Sequence, residues 1–132
     1  MQRRLALVAL AMGILATAGI AAARQAASTE LTPQEALRLV RAVNTAEARL
    51  AASASGDGYV SLRDAITNPA FGAAAELQLE GADAARIKNY RLSLTRSEGN
   101  RGYQLSLMPA SGCGAAWFST NAGLIFTGRC LE

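Results

Sequence analysis

Residues 32–54, TPQEALRLVRAVNTAEARLAASA, decide the fold because they predict a long amphipathic helix. Thr32 is placed to cap this helix, Pro33 suits its first position, and Glu35 completes a capping box. One arc of the helix is apolar at helical spacing and consists of Ala36, Leu39, Val40, Val43, Ala46, Leu50 and Ala54. The rest of the chain must therefore supply an apolar surface to cover this arc.

Glu47 departs from the pattern, because at about 100° per residue it projects into the apolar arc. A carboxylate in that position needs a partner, since burying it unpaired is costly. An arginine or backbone N–H groups of an adjoining sheet would supply one. This interpretation is favoured over a catalytic one, because no partner acid, base or nucleophile accompanies the residue. Glu47 is therefore our candidate for a structural, buried polar residue.

The middle of the chain predicts only short elements. Ser61 and Asp64 indicate a short capped helix over residues 61–66, which stops before Pro69. Residues 70–85 predict one or two short helical turns, because glycines interrupt their helical propensity.

The carboxy-terminal third changes to a period of two, which is typical of strands covered on one face. Apolar and polar residues alternate over residues 90–95 and again over 103–107, with a turn at Ser97–Asn100 between them. A second hairpin is predicted from Ala115–Thr120 and Leu124–Thr127. The two hairpins together predict a four-stranded antiparallel sheet.

These elements predict a single α+β domain over residues 32–132, with the long amino-terminal helix packed on the four-stranded sheet. Cys113 and Cys130 are the only cysteines of the chain. An even pair in an exported protein favours a disulfide over a metal site or a nucleophile. This bond would close the carboxy-terminal hairpin, and a loop of about 17 residues would gain roughly 3 kcal/mol from it.

The amino-terminal segment predicts export. Two arginines precede an apolar run over residues 5–20, which ends in alanines at residues 21–23. This layout indicates a signal peptide over residues 1–23 that is cleaved before Arg24, followed by a linker over residues 24–31. The run is also long enough for an uncleaved anchor. We therefore expect a periplasmic or extracellular protein, with an inner-membrane-anchored form as the alternative if the segment is retained.

The chain lacks most of the residue types and arrangements that enzymes commonly use for catalysis. It has no histidine, which removes the common nucleophile systems and the commonest metal ligand. Lys88 is interpreted as a surface charge, and Glu76 and Glu80 could act together only across a cleft. Turn chemistry explains the glycines around Asp57 better than calcium binding does. We therefore predict a protein that is not an enzyme and has no catalytic, cofactor-binding or metal-ligating residues.

The charge balance gives no support for nucleic-acid binding. Without the two arginines of the amino-terminal segment, 11 basic and 10 acidic residues remain. A nearly neutral domain offers no electrostatic attraction for a polyanion. Protein partners are expected instead, and the sequence predicts no oligomeric state.

The order of the elements resembles the globular domain of type IV pilins and type II secretion pseudopilins. The resemblance covers about residues 36–128, and its motifs are Val43–Ala48, Gly58-Tyr59, Ser61-Leu62 and the hairpin Trp117–Ile125. It implies a non-catalytic domain that works with envelope, pilus or secretion proteins.

The amino-terminal segment differs from that family. A prepilin leader ends in glycine and is followed by a segment with an assembly glutamate, but Gly13 is followed here by residues 14–18, ILATA. The polar residues 24–30 also interrupt the apolar stalk. We therefore expect a soluble accessory or binding module. The alternatives are a small secreted inhibitor or ligand-binding protein, and a hydrolase with an unrecognised site.

Overall fold

The computed structural model describes residues 29–53, 58–71 and 76–129. Two α-helices, α1 (Pro33–Ser53) and α2 (Leu62–Thr67), are followed by a 3-10 turn at Pro69–Phe71. The strands are β1 (Gln78–Leu79), β2 (Ala84–Ile87), β3 (Tyr90–Arg96), β4 (Tyr103–Pro109), β5 (Ala115–Thr120) and β6 (Ile125–Arg129). They form one antiparallel sheet in which each strand pairs with the next in sequence. The fold is therefore α+β.

The start of α1 confirms the predicted capping box. The backbone N–H of Glu35 donates to Oγ1 of Thr32 at 3.2 Å, and the N–H of Thr32 donates to Oε2 of Glu35 at 2.8 Å. Each residue thus satisfies a backbone donor that the first turn leaves open. The helix begins at Pro33, where the missing N–H costs no helical hydrogen bond.

The apolar arc of α1 packs against the sheet, mainly against β5 and β4. Ala36, Val40, Val43 and Ala46 are completely buried in this contact. The facing side of the sheet presents Leu92, Leu94, Leu105, Leu107 and Trp117. This layer between helix and sheet forms the hydrophobic core, and burying each large side chain contributes roughly 1.5–3 kcal/mol.

The short helix α2 confirms the second prediction of capping. Oγ of Ser61 accepts from the N–H of Asp64 at 3.1 Å and donates to the Asp64 carboxylate at 2.7 Å. The N–H of Leu62 donates to Oδ1 of Asp83 at 3.2 Å, which ties this helix end to the loop before β2. The first residue of α2 therefore anchors the helix to the sheet.

The prediction of a four-stranded sheet was wrong, because the sheet has six strands. The two additional strands, β1 and β2, lie in or next to the region predicted as helical turns. Ala85 of β2 pairs with Leu92 and is completely buried. Alanine has little preference for strands, so pairing with β3 and burial decide the conformation here rather than local propensity.

Several predictions fall on residues outside the described ranges. The signal segment 1–23 and Cys130 are among them, so the structure shows only one partner of the expected disulfide-closed hairpin. Leu31, the last residue of the predicted linker, is described and belongs to the core with 7% of its surface exposed. The packed domain thus includes at least this residue before the helix.

Candidate functional site

Glu47 lies completely buried between α1 and the segment that leads into α2. Its Oε2 accepts a hydrogen bond from the backbone N–H of Val60 at 3.1 Å, whereas Oε1 has no partner. Val60 belongs to a loop rather than to the sheet. The carboxyl group therefore fastens this loop onto the helix through one of its two oxygens.

Burial raises the pKa of Glu47 from 4.5 to about 7. The hydrogen bond from Val60 and the positive charge of Arg96 act in the opposite direction but do not offset the loss of hydration. Asp83 and Asp64 add smaller effects that also raise the pKa. Near neutral pH, the group is therefore divided between its protonated and ionised forms.

A chain of hydrogen bonds beside Glu47 joins the helix to the sheet. The Tyr103 hydroxyl donates to Oδ1 of Asn44 at 2.8 Å, and Nδ2 of Asn44 donates to Oγ of Ser119 at 2.7 Å. Ser119 in turn donates to the carbonyl of Leu124 at 2.9 Å. Because each hydroxyl and amide group of this network has a partner, the network fixes the position of α1 on β4, on β5 and on the turn between β5 and β6.

The ring of Tyr103 also contacts Tyr59 edge to face, with centroids 4.9 Å apart. Burial raises the pKa of the Tyr103 hydroxyl well above its usual range, and the neighbouring Glu47 carboxylate adds to this effect. Tyr103 therefore remains a neutral hydrogen-bond donor. The polar network serves to position the helix and offers no ionised tyrosine for chemistry.

Sequence reasoning identified Glu47 as a polar residue on the buried arc but missed Asn44, Tyr103 and Ser119. A signal was present for two of them. Asn44 lies one turn before Glu47 on α1, and Ser119 occupies the inward position that follows Trp117 in the alternation of β5. A polar residue at an inward strand position predicts a hydrogen-bond partner across the core.

Of the other titratable candidates, Glu80 and Lys88 form ion pairs on the surface, and Glu76 is exposed. Glu80 binds Arg86 at 2.8 Å and Arg91 at 3.1 Å, so its carboxylate lies against two guanidinium groups of the neighbouring strands. Lys88 binds Glu35 at 3.2 Å. Within the described ranges, no group of three or more acidic or cysteine side chains could hold a metal ion. Asp57 lies outside these ranges.

Three shallow clefts lie on the described surface. Glu47 lines none of them, so its carboxyl group does not face a bound ligand there. One cleft of about 490 Å³ lies between the start of α1 and the ends of β5 and β6, and Leu31, Tyr90, Trp117 and Arg129 are among its walls. Its lining includes one acidic residue, Glu30, and one basic residue, Arg129, and its aromatic residues Tyr90 and Trp117 are only 6% and 4% exposed.

The most distinctive exposed feature is a set of large apolar side chains at outward positions of β4, β5 and β6 and at the residue before β6. Met108, Phe118, Leu124 and Phe126 are 41%, 39%, 61% and 57% exposed. Phe118 and Phe126 are cross-strand partners in β5 and β6. We call these four residues the hairpin face. Apolar side chains grouped in this way commonly mark a contact with another protein.

No family model, no curated protein and no solved structure matches this chain. None of the helices built from the described residues is long and apolar enough to span a bilayer.

Proposed function

We propose that this chain is a non-catalytic, exported module of the cell envelope that binds a protein partner through the hairpin face. The observation that carries this proposal is the distribution of exposed apolar side chains. Among the described residues, five large apolar residues are exposed; four belong to the hairpin face and only Leu79 lies elsewhere. A surface of this composition loses unfavourable contact with water when a partner covers it.

The buried polar groups support a structural rather than a catalytic use of the core. The network of Asn44, Tyr103 and Ser119 ends on a backbone carbonyl, and Glu47 holds the N–H of Val60. These contacts brace α1 against the sheet and leave the outer side of β5 and β6 free for binding.

We further propose that the domain is pilin-like and serves as an accessory of a pilus or a type II secretion system. A long amino-terminal helix across an antiparallel meander supports this proposal, as do the motifs of the sequence.

The test of export is the amino terminus of the protein isolated from the native envelope and medium. A start near Arg24 supports a free module, whereas a start at Met1 in the membrane fraction supports an anchored one.

Binding through the hairpin face is tested with a photo-crosslinking amino acid introduced at Phe126 in living cells. Leu79, which is 40% exposed on β1, provides the matched control position. We expect protein adducts at position 126 that are absent at position 79, and mass spectrometry should identify the adduct as an envelope protein or as the chain itself. Equal labelling at both positions, or no adduct at 126, would contradict the proposal.

Ligand binding is a second candidate function because the cleft at Tyr90 contains Trp117 and Arg129. Trp117 is the only tryptophan of the chain and lines this cleft, so tryptophan fluorescence can report on binding there. Titration with small aromatic carboxylates should shift its emission if the cleft binds them. Replacement of Arg129 with Gln should then weaken that response, and an unaltered response would exclude this site.

A further inference from the structure

Strand β6 forms one edge of the sheet. It pairs with β5 from Ile125 opposite Ser119 to Arg129 opposite Ala115, and no described strand lies on its other side. In an antiparallel ladder, alternate residues direct their N–H and C=O groups toward that open side. The strand therefore offers a row of backbone donors and acceptors to another strand.

The two edges of the sheet differ in how well they are protected. Strand β1 has only two residues and is followed by Glu80, which binds two arginines. Strand β6 has five residues, IFTGR, without a proline, a lysine or an acidic side chain. Short edges and charged residues are the usual protection against strand addition, and β6 has only Arg129 at its end.

Exposed apolar side chains accompany this open edge. Phe126 projects from β6 beside Phe118 of β5, and Leu124 directly precedes the strand. A strand added to β6 would place alternate side chains next to Phe126 on the same side of the sheet. The free backbone edge and the apolar surface therefore favour the same kind of occupant, which is an extended strand with an apolar outer side.

We infer that this occupant is β6 of a second copy of the chain, paired antiparallel so that the two sheets become continuous. This inference rests on the proposed binding function and specifies its partner. Strand β6 itself has the features that such an occupant needs, since it is extended, has an apolar residue on the outer side, and carries a single charge. A two-fold axis at Phe126 places the two phenylalanines opposite each other.

The charges of the two strands are compatible with this pairing. With Phe126 at the two-fold axis, Arg129 of each copy lies opposite Gly123 of the other. The two guanidinium groups are then attached about six positions apart along the ladder, which is roughly 20 Å at the rise of an antiparallel strand. Like charges therefore do not oppose each other, as they would in a parallel, in-register pair.

The contact is small. Five strand residues on each side, together with the hairpin face, are far fewer than the roughly 20–30 residues a side of stable, specific complexes. We therefore expect a reversible dimer with a dissociation constant on the order of tens of micromolar. Such an affinity makes assembly sensitive to local protein concentration.

The test is sedimentation equilibrium of the chain, expressed with its own amino-terminal segment and purified in the form that the host leaves. The average mass should rise from one copy toward two between about 1 and about 300 µM. Phe126→Lys should keep the protein monomeric over this range, because it opposes two like charges at the axis. Leu79→Lys, on the other edge, should leave the dimer unchanged, and circular dichroism verifies that both variants are folded.

A second measurement does not depend on a destabilising change. A photo-crosslinker at position 126 of the purified protein should yield a covalent dimer whose adducts map to residues 124–128 of the other copy. A protein that remains monomeric at about 1 mM, or a dimer that Phe126→Lys leaves intact, would overturn the inference. If position 126 then crosslinks to a different envelope protein in cells, only this inference fails. If it crosslinks to no protein, the proposed function fails as well.

Discussion

Oε2 of Glu47 accepts a hydrogen bond from the backbone N–H of Val60 at 3.1 Å, and this contact joins the middle of α1 to the segment that leads into α2. The other carboxyl oxygen is buried without a partner. Burial therefore penalises the ionised form, and the stability of the fold becomes dependent on pH.

Glu47 should make the protein less stable as the pH rises. Its pKa is about 7 in the folded protein and near 4.5 in the unfolded chain, so the folded state binds more protons between these values. The contribution of Glu47 to the free energy of unfolding is then greatest below about pH 4.5 and falls through about pH 7, by on the order of 3 kcal/mol. Urea denaturation across this range should show the decrease, and Glu47→Gln should remove it.

Glu35 is the matched control for this experiment. The Thr32 N–H and the Lys88 ammonium group lower its pKa in the folded protein. Its contribution to stability is therefore present at neutral pH and is lost as the pH falls, which is the opposite sign. A Glu47→Gln variant with the same pH slope as the parent would show that the buried carboxyl group is not responsible.

Tyr103→Phe should destabilise the protein by about 1–2 kcal/mol, because it leaves Oδ1 of Asn44 without the hydroxyl donor at 2.8 Å. Tyr90→Phe is the control. Tyr90 is similarly buried, at 6% exposed against 4% for Tyr103, but it does not belong to the hydrogen-bond network of Asn44. Chemical denaturation of the two variants separates the hydrogen bond from the loss of an oxygen atom, and equal changes would argue against the network.

Gly58→Ala should cost about 2–4 kcal/mol for two reasons. Gly58 has φ +80°, and an added Cβ would collide with the carbonyl oxygen of Asn100, which accepts the N–H of Tyr59 at 2.9 Å. Gly112→Ala has a similar φ of +85° but open space, so it should show the smaller cost of backbone strain alone. Gly81→Ala, with neither problem, should be neutral in thermal denaturation.

Neighbouring residues of β4 should respond very differently to truncation. Leu107 is completely buried under α1, whereas Met108 points to the other side and is 41% exposed. Leu107→Ala should cost about 2–5 kcal/mol, and Met108→Ala less than about 0.5 kcal/mol. Urea denaturation measures both changes. Similar values for the two variants would mean that the register of this strand is shifted by one residue.

Local sequence patterns predicted the elements that carry their own signals. The capping residues Thr32 and Ser61 mark the starts of both helices, alternation marks β3 and β4, and the turn residues between β5 and β6 mark the second hairpin. Strand β1 was missed because it has only two residues, and β2 was missed because Ala84 and Ala85 have no strand signal of their own. Their conformation depends on pairing with Ser93 and Leu92, which lie several residues further along the chain.

The candidate site likewise has one part that the sequence predicts and another part that it does not. Helical periodicity alone places Glu47 on the apolar arc of α1, because the angle between residues on a helix is fixed. Its partner Val60 and the links from Asn44 to Tyr103 and Ser119 depend on distances across the core, up to 75 residues apart in sequence. Periodicity contains no information about such contacts.

The sequence by itself determined the amphipathic helix, the capping of both helices and the two carboxy-terminal hairpins, since each depends on residues near one another in the chain. Only the tertiary structure decided that the sheet has six strands, that Glu47 binds Val60 and that β6 is an open edge beside Phe126. These features arise when distant segments compete for backbone hydrogen bonds and apolar cover, and that competition is settled only by packing of the whole domain.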